Sequence, residues 1–154
     1  MPRHWLLKSE PDVYSIDDLA RDGRTFWDGV RNYQARNLMR EMEVGDLVLF
    51  YHSSASPPGV AGVARVSEAS RPDPTALDPA SPYYDPKSTA DEPRWWGVEV
   101  EFVERLPRFV PLGSLKAEPE LSEMLVTKRS RLSVQPVRPG EFAAVRAMGG
   151  AGDA

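Results

Sequence analysis

The stretch "FWDGVRNYQARN" brings Trp27, Arg31, Asn32 and Tyr33 close together, an indole, a guanidinium, an amide and a phenol. An aromatic ring stacks on a nucleobase for about 1–3 kcal/mol, and amide groups read the edge of a base. A guanidinium forks onto either a phosphate or a base edge. Two more rings, Tyr83 and Tyr84, stand in a long proline-rich connection rather than on the alternating face of a strand. The same rings would also serve as plugs at the open end of a small barrel, and composition does not separate the two roles.

Hydrolytic and metal chemistry find little support. The only histidines, His4 and His52, lack metal-ligand spacing, and neither a G-x-S-x-G elbow nor a phosphate-binding loop is present. Both read as strand residues with satisfied rings. Asp17 with Asp18 and Asp85 with Asp91 fall in capping and turn contexts. With no cysteine, disulfides, thiolate zinc sites and a cysteine nucleophile are all excluded. No catalytic set, metal or cofactor is therefore expected. An enzyme acting at the aromatic cluster would have to use Glu10 or Asp28, with a raised carboxyl pKa.

These residues need elements to position them. "HWLLKSEP" reads as a short strand ended by Pro11, followed by a helix that Ser15 opens, with Asp18 completing a capping box, Tyr14 stapling Leu19, and Gly23 as the stop. A second helix starts at Asn32, a good N-cap; Ala35, Leu38, Met39 and Met42 form one buried stripe, Arg36 and Arg40 share its flank, and Gly45 ends it. The loop delivering Trp27 and Arg31 just before Asn32 thus joins a stacking surface to the anion-friendly end of a helix.

"DLVLFYHS", apolar on both faces, predicts a central strand. "SASPPG" turns it into "GVAGVARV", giving a hairpin over 47–66. The connection over 70–94 exceeds the usual length of structureless loops, and its adjacent tyrosines argue that it is anchored. "WWGVEVEFVERL" alternates, with Trp96, Val98, Val100 and Phe102 on one face and Glu99 and Glu101 on the other. Two helical turns broken by Pro119, a last strand "RLSVQPV", and a helix from Pro139 carrying Phe142, Val145 and Met148 complete the chain. Irregular alternation without a βαβ rhythm favours a single α+β domain over 1–150, with a short tail over 151–154.

At 154 residues the chain suits one domain, and 15 prolines, roughly twice the usual share, fit long ordered connections. A net charge of -4 excludes a protein that coats nucleic acid by neutralising many phosphates. Local clusters at Arg31, Arg36 and Arg40, and at Lys128, Arg129 and Arg131, leave room for a few phosphate contacts. The N-terminus reads as neither signal peptide nor membrane span, and the expected setting is soluble and cytoplasmic.

Several separated motifs, "WLLKSEP", "FWDGVRNYQARNLMREMEVGDLVLFYHS", "GVAGVARV", "YYDPKST" with "PRWWGVEVEFV", and "RLSVQPV", resemble the EVE domain family in their order across nearly the whole chain. The resemblance implies a PUA-like fold, a small curved mixed β-barrel flanked by helices and related to YTH readers of methylated adenine. It also implies a non-enzymatic reader holding a flipped-out modified base in an aromatic cage. Modified cytosine in DNA is the favoured partner, with RNA binding or base processing as alternatives. Carried onto this chain, the cage wall is Trp27, opposed by Tyr83 or Tyr84. Val30, Arg31, Asn32 and Tyr33 line the floor and rim, although Asn32 is equally suited to capping the helix. Lys8, Ser9, His52, Ser53, Ser133 and Gln135 supply polar groups. Arg31, Arg36, Lys128, Arg129 and Arg131 are expected at phosphates or the rim.

Overall fold

The computed structural model describes residues 2–128 and 131–151. The elements run β1 (His4–Ser9), α1 (Ile16–Asp22), β2 (Arg24–Trp27), α2 (Tyr33–Glu41), β3 (Leu47–His52), β4 (Gly59–Pro72), β5 (Trp96–Pro111), α3 (Leu112–Ala117), β6 (Val134–Val137) and α4 (Pro139–Met148). Short 3₁₀ turns lie at Pro74–Leu77, Pro119–Leu121 and Leu125–Lys128. One mixed sheet takes the order β2-β5-β4-β3-β1-β6, in which β1 and β3 are parallel and every other pair is antiparallel.

The sheet is covered on both faces, which explains the two-sided apolar pattern of its central strands. Trp5 and Leu7 of β1 and Val48 and Phe50 of β3 point into a core shared with Ile16, Leu19, Ala35 and Met39 of α1 and α2. Their neighbours Leu6, Leu49 and Tyr51 point the other way, against Leu115, Leu121, Phe142 and Val145. Each face buries enough side chain that a one-residue slip of β1 or β3 would exchange the two cores wholesale, so the register is fixed.

Local signals place α1 as its sequence predicts. Ser15 accepts from the Asp18 N–H while Asp18 accepts from the Ser15 N–H, and Gly23 closes the helix at φ +83°. Asn32 Oδ1 caps α2 by accepting from the Ala35 N–H at 2.9 Å.

Three expectations need correction. Helix α2 ends at Glu41 with Met42 as an extended C-cap, and Gly45 (φ +97°) instead turns the chain into β3. Asp46 fixes that turn from inside, accepting from the Glu43 N–H and from the Trp5 indole N–H. Residues 24–27, read as a connection, form the edge strand β2, paired from Arg24↔Glu101 to Trp27↔Val98. Its four residues are too few to show a period. Strand β5 continues past Leu106 to Pro111, because Pro107 falls at a register shift in the β4–β5 ladder, between the pairs Gly62↔Arg105 and Val60↔Val110, where no N–H is required.

The connection after β4 is ordered by its own bonds. The Asp73 N–H donates to the Trp95 carbonyl at 2.8 Å, the Asp85 N–H to the Ala76 carbonyl at 2.9 Å, and the Trp95 indole N–H to the Asp85 carboxylate at 2.7 Å.

Candidate functional site

Five segments converge on one cleft of about 810 Å³: the end of β1 with the turn after it, the end of β2 with the residues after it, the residue after β3, the Tyr83 loop and the approach to β6. Backbone bonds tie three of them, with the Lys8 N–H on the Ser133 carbonyl at 3.0 Å and the Ser53 N–H on the Ser9 carbonyl at 2.9 Å. Strands β2 and β6 stand at opposite ends of the sheet order, yet both ends meet at this cleft. The sheet therefore curls until its edges face each other, and α2, packed against both β5 and β6, spans the gap.

Trp27 is half-buried. It meets Phe50 in a T-shaped ring contact (5.4 Å, 84°) at the core beneath β1 and β3, and it also lines the cleft. Two residues on, Gly29 takes φ +79°, and a Cβ there would lie 2.8 Å from the Tyr83 ring. Glycine thus serves twice, providing the left-handed turn and the floor on which Tyr83 rests.

A buried carboxylate, Asp73, holds this corner. It accepts from the Gly29 N–H at 2.8 Å, the Thr75 N–H at 2.8 Å, the Thr75 hydroxyl at 2.6 Å and Arg31 Nη1 at 3.0 Å. Burial pushes its pKa up, but these donors outweigh that and hold it below the ordinary carboxylate value. Arg31 also donates to the Val30 and Tyr83 carbonyls and to Thr75 Oγ1. Its guanidinium is consumed as a strut that fastens the Tyr83 loop to the end of β2. The expected phosphate or base-edge contact from Arg31 has no donor left to make it.

The remaining cleft wall is polar and mixed in charge. Lys8 Nζ lies 5.7 Å from the centre of the Tyr51 ring, and burial lowers its pKa. The Ser9 hydroxyl donates to the Tyr14 carbonyl, and the Tyr14 hydroxyl donates to Asp22 at 2.9 Å. Asp28 opens onto the cleft, where lost hydration first, and the nearby Asp73 charge second, push its carboxyl above the ordinary value. Such a wall offers acceptors and donors to the edge of a flat guest and an indole to its face.

Of the residues expected from the sequence, the cleft brings together Lys8, Ser9, Trp27, Val30, Arg31, Ser53, Tyr83, Arg131 and Ser133. Others lie elsewhere for definite reasons. Tyr33 stacks on Trp95 (4.8 Å, 23°), has the Arg36 guanidinium 4.8 Å from its ring centre, and does not line the cleft. Arg36 itself donates to the Arg94 carbonyl and to Asn37. Tyr84 is exposed outside the cleft, which singles out Tyr83 as the loop's aromatic. Asn32 is occupied as the cap of α2.

His52 Nε2 accepts from the Ile16 N–H at 3.1 Å, so it closes the first turn of α1 instead of facing the cleft. Gln135 is buried and donates to the Leu132 carbonyl. Lys128 pairs with Glu123 at 3.3 Å on a remote 3₁₀ turn. Arg129 lies outside the described residues, as do 152–154 of the expected tail. Sequence reasoning missed Thr25, Phe26 and Gly29 on the cleft wall and Asp73 behind it. The strand β2 would have revealed the first two, and a "D-P-T" N-cap signature at 73–75 was the available sign of the last.

Among the described residues no cluster suits a metal ion, and no helix is long and apolar enough to cross a membrane. The family model for the EVE domain matches residues 3–148. Human thymocyte nuclear protein 1 is 41% identical over 158 residues, covering 90% of this chain and 70% of the relative. A solved structure of a Leishmania major hypothetical protein superposes with a TM-score of 0.94 at 50% identity, covering 97% of this chain and 96% of that one. Human THYN1 solved in complex with 5-methylcytosine-containing DNA gives a TM-score of 0.91 at 40% identity, covering 96% and 97%. At 16% identity, a Zygosaccharomyces rouxii YTH domain covers 96% and 86% with a TM-score of 0.57 and shares the fold.

Proposed function

The chain belongs to the EVE domain family, and on that premise we propose that it is a non-enzymatic reader that accepts a modified base, extruded from a nucleic-acid strand, into the cleft beside Trp27. Modified cytosine in DNA is the favoured ligand, in keeping with the 5-methylcytosine DNA bound by the human relative. The observation that carries the reading is an indole that meets Phe50 of the core in a T-shaped contact and also lines the cleft. A ring packed on the core and lining a cleft is preorganised for stacking, so little ordering cost falls on binding. The cleft volume lies within the roughly 300–1,000 Å³ typical of small-molecule sites.

Trp27→Ala tests this directly. It is expected to weaken binding of a 5-methylcytosine strand about tenfold or more, at a stability cost of about 1–3 kcal/mol because Trp27 also packs on the core. Trp27→Phe restores most of the affinity. Tyr83→Ala removes an exposed ring, so it weakens binding while leaving the melting temperature close to that of the unsubstituted protein. Unchanged affinity in Trp27→Ala would refute the assignment.

One observation favours a second reading, in which the base is processed. Asp28, with its raised carboxyl pKa, faces the same cleft. A modified oligonucleotide incubated with stoichiometric protein is expected to keep its mass; a released base or a shifted mass would establish processing.

A further inference from the structure

The cleft contains a group whose chemistry selects among bases, and this inference rests on the reader function proposed above. Asp28 follows the stacking residue Trp27 directly, and both line the cleft. Its backbone is not free to drift. The next peptide N–H, at Gly29, is bonded at 2.8 Å to the buried Asp73, and Asp73 is itself tied to Arg31 and Thr75. The exposed Asp28 side chain thus leaves a backbone anchored directly beside Trp27 and lines the same cleft.

Chemically the carboxylate is an acceptor only, whereas Lys8 on the same cleft wall is a donor only. Cytosine presents an exocyclic N4 amino donor beside ring acceptors; thymine and uracil replace that amino group with a carbonyl. A carboxylate accepts from the amino group and repels the carbonyl. We propose that Asp28 is the specificity-determining residue of the cleft, accepting from the exocyclic amino group of the bound base and thereby selecting amino-bearing bases over their keto counterparts.

The pair 5-methylcytosine and thymine tests this, because the two bases share the 5-methyl group and the ring shape and differ along one edge, an N4 amino beside a bare N3 in the first and an O4 carbonyl beside an N3–H in the second. Single strands identical except for that base are titrated with the full chain and with Asp28→Asn at fixed salt. The unsubstituted protein is expected to prefer 5-methylcytosine about tenfold. Asp28→Asn, of the same shape but able to donate to a carbonyl, brings the two affinities together, and its melting temperature checks that the fold is kept. Asp28→Ala, which offers neither acceptor nor donor, likewise abolishes the preference. An unaltered tenfold preference in both variants would overturn the inference while leaving the reader function standing. Equal affinity of the unsubstituted protein for both strands would do the same. The absence of saturable binding to either strand by the unsubstituted protein would refute the reader function, and the selectivity inference with it.

Discussion

His52 has its imidazole between Phe50 and Phe109, with Nε2 accepting the Ile16 N–H at the start of α1. Only a ring nitrogen free of a proton can accept that bond. Burial lowers the His52 pKa below 6.5, and the nearby Asp17 raises it by less. His4 is shifted the same way, by burial against the weaker opposing pull of Asp46. The unfolded chain thus binds more protons than the folded one just below pH 6.5. The stabilisation is complete above that value and is lost as pH falls through the lower folded values. Thermal melts from pH 8 to 5 should show stability falling below pH 6.5, with a shallower fall in His52→Gln, whose amide oxygen accepts the Ile16 N–H at any pH; an equal fall in both would contradict this role. At the same scale, the aromatic and polar composition of "FWDGVRNY" was legible as a site, but the division of labour within it was not. Arg31 and Tyr33 look like ligand groups in sequence, and only their partners Asp73 and Trp95, distant along the chain, show them to be braces.

The connection between β4 and β5 is the element on which the site depends. It carries Tyr83 to the cleft, and Asp73 at its root bonds both Gly29 and Arg31. Asp73→Ala would leave two backbone N–H groups, a hydroxyl and a guanidinium short of their acceptor, at a cost of about 3 kcal/mol. The expected outcome is faster proteolysis within residues 78–94 together with weaker strand binding; an unchanged cleavage rate would show that the loop is held by other contacts. Elements with strong local signals could be read directly, such as α1 through its capping box, α2 through Asn32, and β3 through its two-sided apolar run. The boundaries of β2, β4 and β5 could not, because they are set by pairing across the sheet. Trp27 joins β2 through Val98, and Pro107 and Pro111 stay in β5 through gaps and ends of the ladder.

Over the whole molecule, the curled sheet brings the end of β2 and the approach to β6 to the same cleft, a closure that no local pattern announces and that entered the sequence reading only through family resemblance. Electrostatics then limits how that cleft can work. The net charge is -4, and many of the basic side chains are already paired, among them Arg3 with Glu41, Arg65 with Glu101, Arg105 with Asp17 and Arg146 with Glu104. On the function proposed above, phosphate neutralisation supplies little of the affinity and the base in the cleft most of it. The measurement that bears most directly on this account compares a single strand carrying one 5-methylcytosine with the same strand made abasic at that position, titrated at about 0.15 M salt. The abasic strand is expected to bind at least about tenfold more weakly; equal affinity for the two strands would show that the protein holds the backbone and that no base enters the cleft.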